Sequence, residues 1–382
     1  MAKKLLRCSL AVFVVLAILT LGITSAAAPS VADAISCVSG FGSAVSANSH
    51  GIFYGVSPIR ATSAKLDGMM LYAGGIPFGV KFMTEGVIVT GFTDINTANG
   101  KICPATAAGL RPNDVIISVN GETLTDASHL TTVCEGCGGK SISIVYKRDG
   151  KEAAASLTPA YCADEGKYKT GMYVRDSGAG IGTVTYIVPE TLSFGGLGHG
   201  ICDGETGKLI PMQRGSVVGV TINGVVKGIS GTPGEVRGYF SAGKTGTLLK
   251  NTDCGVFGAF ASLPDTLTST PLPVGGRNEI KAGKAYILCT LDGTTPLRYE
   301  IQISDIRTDS TTNKCFTVTV TDKELIYKTG GIIQGMSGSP IIQNGKLVGA
   351  VTHVLINDPS RGYGIFIENM LNAAQMPMAK AS

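Results

Sequence analysis

Gly335-Met336-Ser337-Gly338-Ser339-Pro340 follows the pattern Gly-x-Ser-Gly-(Gly/Ser)-Pro. A proline then leads into an extended run, Ile341-Ile342-Gln343, and Asn344-Gly345 comes next. Asn-Gly between apolar runs is the strongest short hairpin signal, and Lys346-Leu347-Val348-Gly349-Ala350-Val351 reads as the return strand. Small residues on both sides of Ser337 permit a sharp backbone turn that aims two N–H groups, those of Gly335 and Ser337, at one spot. A serine hydroxyl attacks a carbonyl only when a base takes its proton and such N–H groups stabilise the resulting oxyanion. Ser337 is therefore the candidate nucleophile, and Gly335 and Ser337 supply the candidate oxyanion hole. A Gly/Ser-rich turn without chemistry is the alternative for the hexapeptide alone, and the hairpin after it argues against that.

A serine nucleophile needs a base, and the chain has four histidines. His50 falls in a Ser/Ala/Gly-rich stretch, and His129 falls near the start of a short helical pattern. His199 sits in Gly195-Gly196-Leu197-Gly198-His199-Gly200-Ile201, a loop of small residues where packing gives no reason for an imidazole, so it is the candidate base. His353 follows the return strand and reads as the wall of a specificity pocket. A base needs an acid to hold its tautomer. Asp203, Asp253, Asp305, Asp322 and Asp358 lie downstream of His199; Asp322 ends a strand and begins the approach to the serine loop, which makes it the candidate acid.

The 382 residues allow two or three domains. Glycine is abundant at 52, tryptophan is absent and Val/Ile/Thr runs dominate, so the fold class is mostly β. The formal net charge is +4 without a basic stripe, which gives no case for nucleic acid as a partner. Lys3, Lys4 and Arg7 precede an uncharged stretch from Cys8 to Ala32. Residues 1–34 thus read as a signal or membrane anchor, and the body of the chain as exported. Ten cysteines suit an exported chain. Cys134-Glu135-Gly136-Cys137 is a lone CxxC with no histidine at ligand spacing, so either a local disulfide or two free thiols is expected there, and no metal. No cofactor is expected. Gly238-Tyr239-Phe240-Ser241-Ala242-Gly243-Lys244-Thr245 matches a phosphate-loop pattern formally, but a strand-and-turn sequence follows it where a helix is required.

Residues 35–68 read as a linker. Residues 69–150 resemble a PDZ domain, on Gly75-Ile76-Pro77-Phe78-Gly79-Val80, on Ala107-Ala108-Gly109-Leu110 and on Asp114-Val115-Ile116 through Val119-Asn120-Gly121. Asn113 stands where glycine is usual, and asparagine tolerates a left-handed backbone. PDZ domains bind extended peptide ends by strand addition. The resemblance makes Phe78, Gly79 and Val80 the candidate carboxylate-binding loop and peptide ends, or the chain itself, the candidate ligand. Residues 165–382 carry short strands, among them 182–187, 216–222, 300–303 and 315–320, with Asn223-Gly224 as another expected hairpin and a terminal helix at 366–375.

Together these parts resemble the stage IV sporulation protein B serine peptidases, which join a membrane segment, a PDZ domain and a chymotrypsin-related barrel. The specific stretches are 75–80, 197–201, 330–346 and 349–354. The resemblance implies His199 as base, Ser337 as nucleophile and Asp322 as acid. It also implies self-cleavage, cleavage of a regulatory membrane protein in the space between the forespore membranes, and onward activation of an intramembrane protease and a sigma factor. The alternative is a non-catalytic PDZ adaptor. A heat-shock-type quality-control protease is disfavoured, because there the PDZ unit follows the protease domain.

Overall fold

A computed structural model describes residue 66 and residues 68–204, 207–267 and 270–375. The targeting segment, nearly all of the linker and His50 lie outside the described residues. Among the described residues no helix is long and apolar enough to cross a membrane.

Two β-barrels carry the C-terminal part. In the first, Met172–Ile187 pairs with Ser193–Gly196, which pairs with Gly255–Phe260. Glu235–Thr252, Met212–Val226 and Pro77–Phe92 follow in turn, and the last returns to Met172–Ile187. Alternation explains this ring: Phe78, Val80 and Phe82 point inward with Phe194, Val217, Leu248 and Val256, and all are buried. The second barrel closes in the order Gly283–Cys289, Leu297–Ser304, Phe316–Val320, Asp358–Phe366, Lys346–Leu355 and Pro340–Gln343. Ile287, Ile301, Phe316, Val318, Val351 and Ile365 fill it, each fully buried. The expected Asn344-Gly345 turn joins its last hairpin, with φ of 51° and 75°. Such positive φ at both turn residues gives the twist that matches the strands. The terminal helix runs Ile367–Gln375.

The α/β unit between the first strands is the one read as PDZ. Val115–Val119, Ile142–Arg148 and Lys151–Leu157 pair in order, and helix Ala127–Gly136, capped by Asp126, covers them. Val87, Val89, Ile116, Leu130, Ile144 and Leu157 form its core. Asn113 adopts φ 73°, the left-handed conformation expected of it. Asp114 is buried and bound by two nitrogens of Arg148, each at 2.7 Å.

Three expectations need correction. Phe78, Gly79 and Val80 are not a carboxylate-binding loop. They lie in Pro77–Phe92, paired on one side with Gly182, Ile181 and Gly180 and on the other with Gly219, Val218 and Val217. A strand with neighbours on both edges has no N–H groups left for a carboxylate. Second, the barrel and the PDZ unit share strands: Pro77–Phe92 and Met172–Ile187 pair along almost their whole length, from Pro77↔Thr183 to Phe92↔Met172. Residues 77–92, read within the PDZ segment 69–150, therefore also form wall of the barrel that the sequence placed in 165–382. Third, Asn223-Gly224 does not close a hairpin; it sits inside Met212–Val226, where a register shift between Ile222 and Gly224 absorbs it.

Candidate active site

One cavity of about 730 Å³ receives residues from both barrels. The first barrel contributes His199, and the second contributes Ser337, His353 and Gly335. The structure thus brings together the candidate base, nucleophile, oxyanion residues and pocket histidine in one cavity.

His199 follows the strand Ser193–Gly196 and is buried, at 9% exposure. The side chain of Asn251 clasps its loop: Oδ1 accepts from Ile201 N at 2.8 Å, and Nδ2 donates to Ile201 O at 2.9 Å. The Nδ1 of His199 lies 2.8 Å from Gly200 O. A carbonyl can only accept, so this contact places the proton on Nδ1 and leaves Nε2 as the basic nitrogen. Burial holds the imidazole below its ordinary pKa, and the bond to Gly200 opposes that only in part. His199 is therefore neutral at pH 7, the state a general base requires.

Ser337 occupies a loop built on helix Lys323–Thr329, whose C-cap Gly330 has φ 76°. The Ser337 hydroxyl donates to Thr352 O at 2.8 Å rather than to His199. Between residues 334 and 339, Gln334, Met336, Gly338 and Ser339 donate their N–H groups to Gly234 O, Ile333 O, Val351 O and Met336 O. The N–H groups of Gly335 and Ser337 have no acceptor among the described residues. Gly335 and Gly338 adopt φ 95° and 94°, which non-glycine residues rarely reach, and a Cβ on Gly338 would collide with Thr183 O and Leu197 N. This explains the glycines flanking the serine: one sets the turn, the other lets the loop lie against the first barrel.

His353 packs its ring 5.1 Å from that of His199, centroid to centroid. Its Nδ1 is buried without a partner. Burial, then the neighbouring His199 and Lys314, push its pKa down to about 3. Two adjacent imidazoles of this kind stay neutral together through the physiological range.

The structure does not bring Asp322 to His199. Asp322 caps helix Lys323–Thr329: Oδ1 accepts from Leu325 N at 3.0 Å and Oδ2 from Glu300 N at 3.3 Å. It does not line the cavity. An N-cap carboxylate is committed to orphan helical N–H groups, which is the physical reason for the correction. Of the other acids, Asp203 is paired with Arg175 at 3.0 Å, while Asp253 and Asp358 line the cavity without a bond to His199. The tautomer-holding group of this arrangement is the Gly200 carbonyl, which sequence reasoning missed because a backbone acceptor leaves no side-chain signal.

Elsewhere, Gly238–Thr245 lies inside the strand Glu235–Thr252, so the phosphate-loop pattern has no loop or helix. Cys134 and Cys137 are free thiols, and burial pushes Cys134 up to about 12. No group of three or more metal-ligating side chains occurs among the described residues. His129 lies on the PDZ helix, 3.6 Å from Glu122. A second cavity of about 410 Å³ separates that helix from Met172, Tyr173 and Val174.

Two barrels sharing a serine–histidine cleft, with a PDZ unit set between strands of the first, define the PDZ-bearing serine-peptidase class of fold. The chain belongs to the SpoIVB peptidase S55 family, whose model matches residues 166–371, and a PDZ domain model matches residues 100–148. Among curated proteins it is 32% identical over 111 residues to "Probable protease eep" of Enterococcus faecalis, covering 26% of each chain. It is 38% identical over 60 residues to "Zinc metalloprotease RasP" of Shouchella clausii, covering 16% of this chain and 14% of that protein. The chain therefore spans about a quarter or less of the curated relatives it matches. Among solved structures, the PDZ domain of the SdrC-like protein of Listeria monocytogenes matches at 19% identity and TM-score 0.20, covering 24% of this chain and 87% of that one. The Rv3671c protease of M. tuberculosis, in an inactive form, matches at 16% identity and TM-score 0.30, covering 51% and 85%.

Proposed function

We propose that Ser337 is the nucleophile and His199 the general base of this peptidase. In the resting arrangement Ser337 is turned toward Thr352 O. Rotation about its χ1 presents the hydroxyl to Nε2 of His199, which takes the proton as Oγ attacks the scissile carbonyl. The N–H groups of Gly335 and Ser337 receive the oxyanion. His199 then returns the proton to the leaving amine, and water repeats the cycle on the acyl-enzyme. The unpaired N–H groups of Gly335 and Ser337, in the cavity that holds His199, carry this reading. His353 forms the wall of the pocket beside the scissile bond.

The family supports a signalling role. On this reading the chain is exported across the cytoplasmic membrane and held there by, or released from, its N-terminal segment, in the space between the forespore membranes. It cleaves itself and a membrane-associated regulatory protein, so that an intramembrane protease is released and a sigma factor becomes active. The PDZ unit selects an extended peptide, either the target's or the chain's own. With Phe78–Val80 buried in the barrel, peptide docking falls to the cavity between helix Ala127–Gly136 and Met172–Val174. The experiment is to follow self-cleavage of the full chain by intact mass, wild type beside Ser337→Ala. Discrete fragments from the wild type alone support the reading, and identical fragments from both remove Ser337 from the mechanism.

A further inference from the structure

We propose that Thr183, in the middle of strand Met172–Ile187, is a positioning residue that builds the oxyanion loop. This rests on the reading of Ser337 and Gly335 given above. Thr183 grips that loop twice. Its Oγ1 donates to Gly335 O at 2.7 Å, and its backbone N donates to Ser337 O at 3.1 Å. Two residues along the same strand, Thr185 Oγ1 donates to Gly338 O at 2.7 Å. Both threonines are buried, at 4% and 0% exposure. Three carbonyls of the nucleophile loop, those of Gly335, Ser337 and Gly338, are thus tied to one strand of the opposite barrel.

The consequence lies in the peptide planes. Each carbonyl shares a rigid plane with the next residue's N–H, so Thr183 fixes the Gly335–Met336 and Ser337–Gly338 planes; these flank the planes that carry the Gly335 and Ser337 N–H groups and leave them only the intervening dihedrals to turn about. The Gly335 carbonyl matters most. Gly335 sits at φ 95°, where a glycine loop has more than one conformation open to it. Without a donor at that carbonyl, the loop is free to rotate and withdraw an N–H group from the cleft. The hydroxyl of Thr183 removes that freedom before any substrate arrives, which is the preorganisation that electrostatic stabilisation requires. The steric fit agrees: only a glycine at 338 lets the loop come close enough to Thr183 for the backbone bond to form.

A valine at 183 keeps the shape and the backbone bond but deletes the hydroxyl, whereas a serine keeps the hydroxyl. The test uses the full chain and a fluorophosphonate probe. Ser337 Oγ gives its proton to His199 and forms a bond to phosphorus as the P–F bond breaks and fluoride leaves, and the phosphoryl oxygen occupies the oxyanion site. Loss of one oxyanion donor costs about 10²–10³-fold in rate. Thr183 acts through the loop, so Thr183→Val is expected to slow labelling of Ser337 by about 10- to 100-fold, and Thr183→Ser to restore it to within about threefold. Labelling is measured below the melting transition of each variant, per folded molecule. Wild-type labelling of a folded Thr183→Val overturns the proposal. So does equal loss in Thr183→Ser and Thr183→Val, which would assign the effect to packing rather than to the hydroxyl. Should the valine variant fail to fold, the serine variant alone decides: near-wild-type labelling is required. If wild type itself is not labelled at Ser337, the underlying functional reading fails instead, and the two failures are distinguishable.

Discussion

Replacing Asp322 by Asn and by Ala separates two jobs for one carboxylate. In the structure Asp322 is an N-cap, and Leu325 N at 3.0 Å is its main partner. Asparagine is as good a cap as aspartate, because its Oδ1 accepts the same bond, and only the weaker contact with Glu300 N at 3.3 Å is exchanged. Asp322→Asn is thus expected to change stability by less than about 0.5 kcal/mol. Asp322→Ala deletes the cap and costs about 1 kcal/mol, which for 382 residues lowers the melting temperature by only about 1–2 °C. Since the capped helix feeds directly into the serine loop, some activity is lost with it. An acid that orients the catalytic imidazole behaves differently. There the Asp-to-Asn change costs about 10⁴-fold in kcat, equivalent to about 5.5 kcal/mol, with little effect on folding. The two accounts differ by more than three orders of magnitude on a single variant. Measured by cleavage of a quenched peptide from a mapped self-cleavage site, with thermal melts alongside, Asp322→Asn should retain activity within about threefold of wild type. A folded Asp322→Asn with kcat down 10³-fold or more refutes the capping account and restores Asp322 as the orienting acid.

Acid should destabilise the protein through its histidines. His199 and His353 are both held below the ordinary value of 6.5, His353 at about 3. Between pH 6.5 and 3 the unfolded chain binds a proton at His353 that the folded chain does not, so stability falls as pH falls, by up to about 1.4 kcal/mol per pH unit. Denaturant titrations should show this slope reduced in His353→Gln; an unchanged slope counts against a buried neutral His353. The acid limb of the activity profile should have its midpoint below pH 6.5, since His199 loses activity only when protonated, and a midpoint above 7 contradicts the burial argument. Gly338→Ala forces a Cβ onto Thr183 O and Leu197 N, and should cost about 3 kcal/mol or more and abolish cleavage; a soluble, active variant would show that the loop does not dock as described. Arg148→Met leaves Asp114 charged, buried and without its guanidinium, and should destabilise by about 3–5 kcal/mol, read by loss of amide protection across the PDZ unit.

Much of this architecture was legible from local signals. Asn344-Gly345 marked its hairpin because both residues tolerate positive φ, and the alternating runs at 216–222 and 315–320 marked barrel strands because alternation reports a one-sided core. Ser337 and His199 stood out because small residues crowded around each, and the structure explains the crowding by close backbone approach. Features set by distant partners were hidden. Phe78–Val80 resembles a binding loop within its own segment, and only pairing with residues 180–182 and 217–219 turns it into barrel wall. Asn223-Gly224 carries the same turn chemistry as Asn344-Gly345, yet the longer ladder with Glu235–Thr252 overrides it. Asp322 follows the strand Phe316–Val320 and leads toward the serine loop, a placement that suits a catalytic acid as well as a helix cap. Its cap signal, an aspartate at the start of Lys323-Glu324-Leu325, was equally present and describes what the side chain does. The hold of Thr183 on Gly335, 152 residues away, left no trace in either local sequence.

Treating the full chain with a fluorophosphonate and mapping the adduct by peptide mass tests the central claim directly, because it asks which serine is nucleophilic without assuming a substrate. The account predicts a single adduct on Ser337 in the wild type, lost in Ser337→Ala and strongly reduced in His199→Ala. An adduct on another residue, or cleavage activity that persists with Ser337 unmodified, would contradict it.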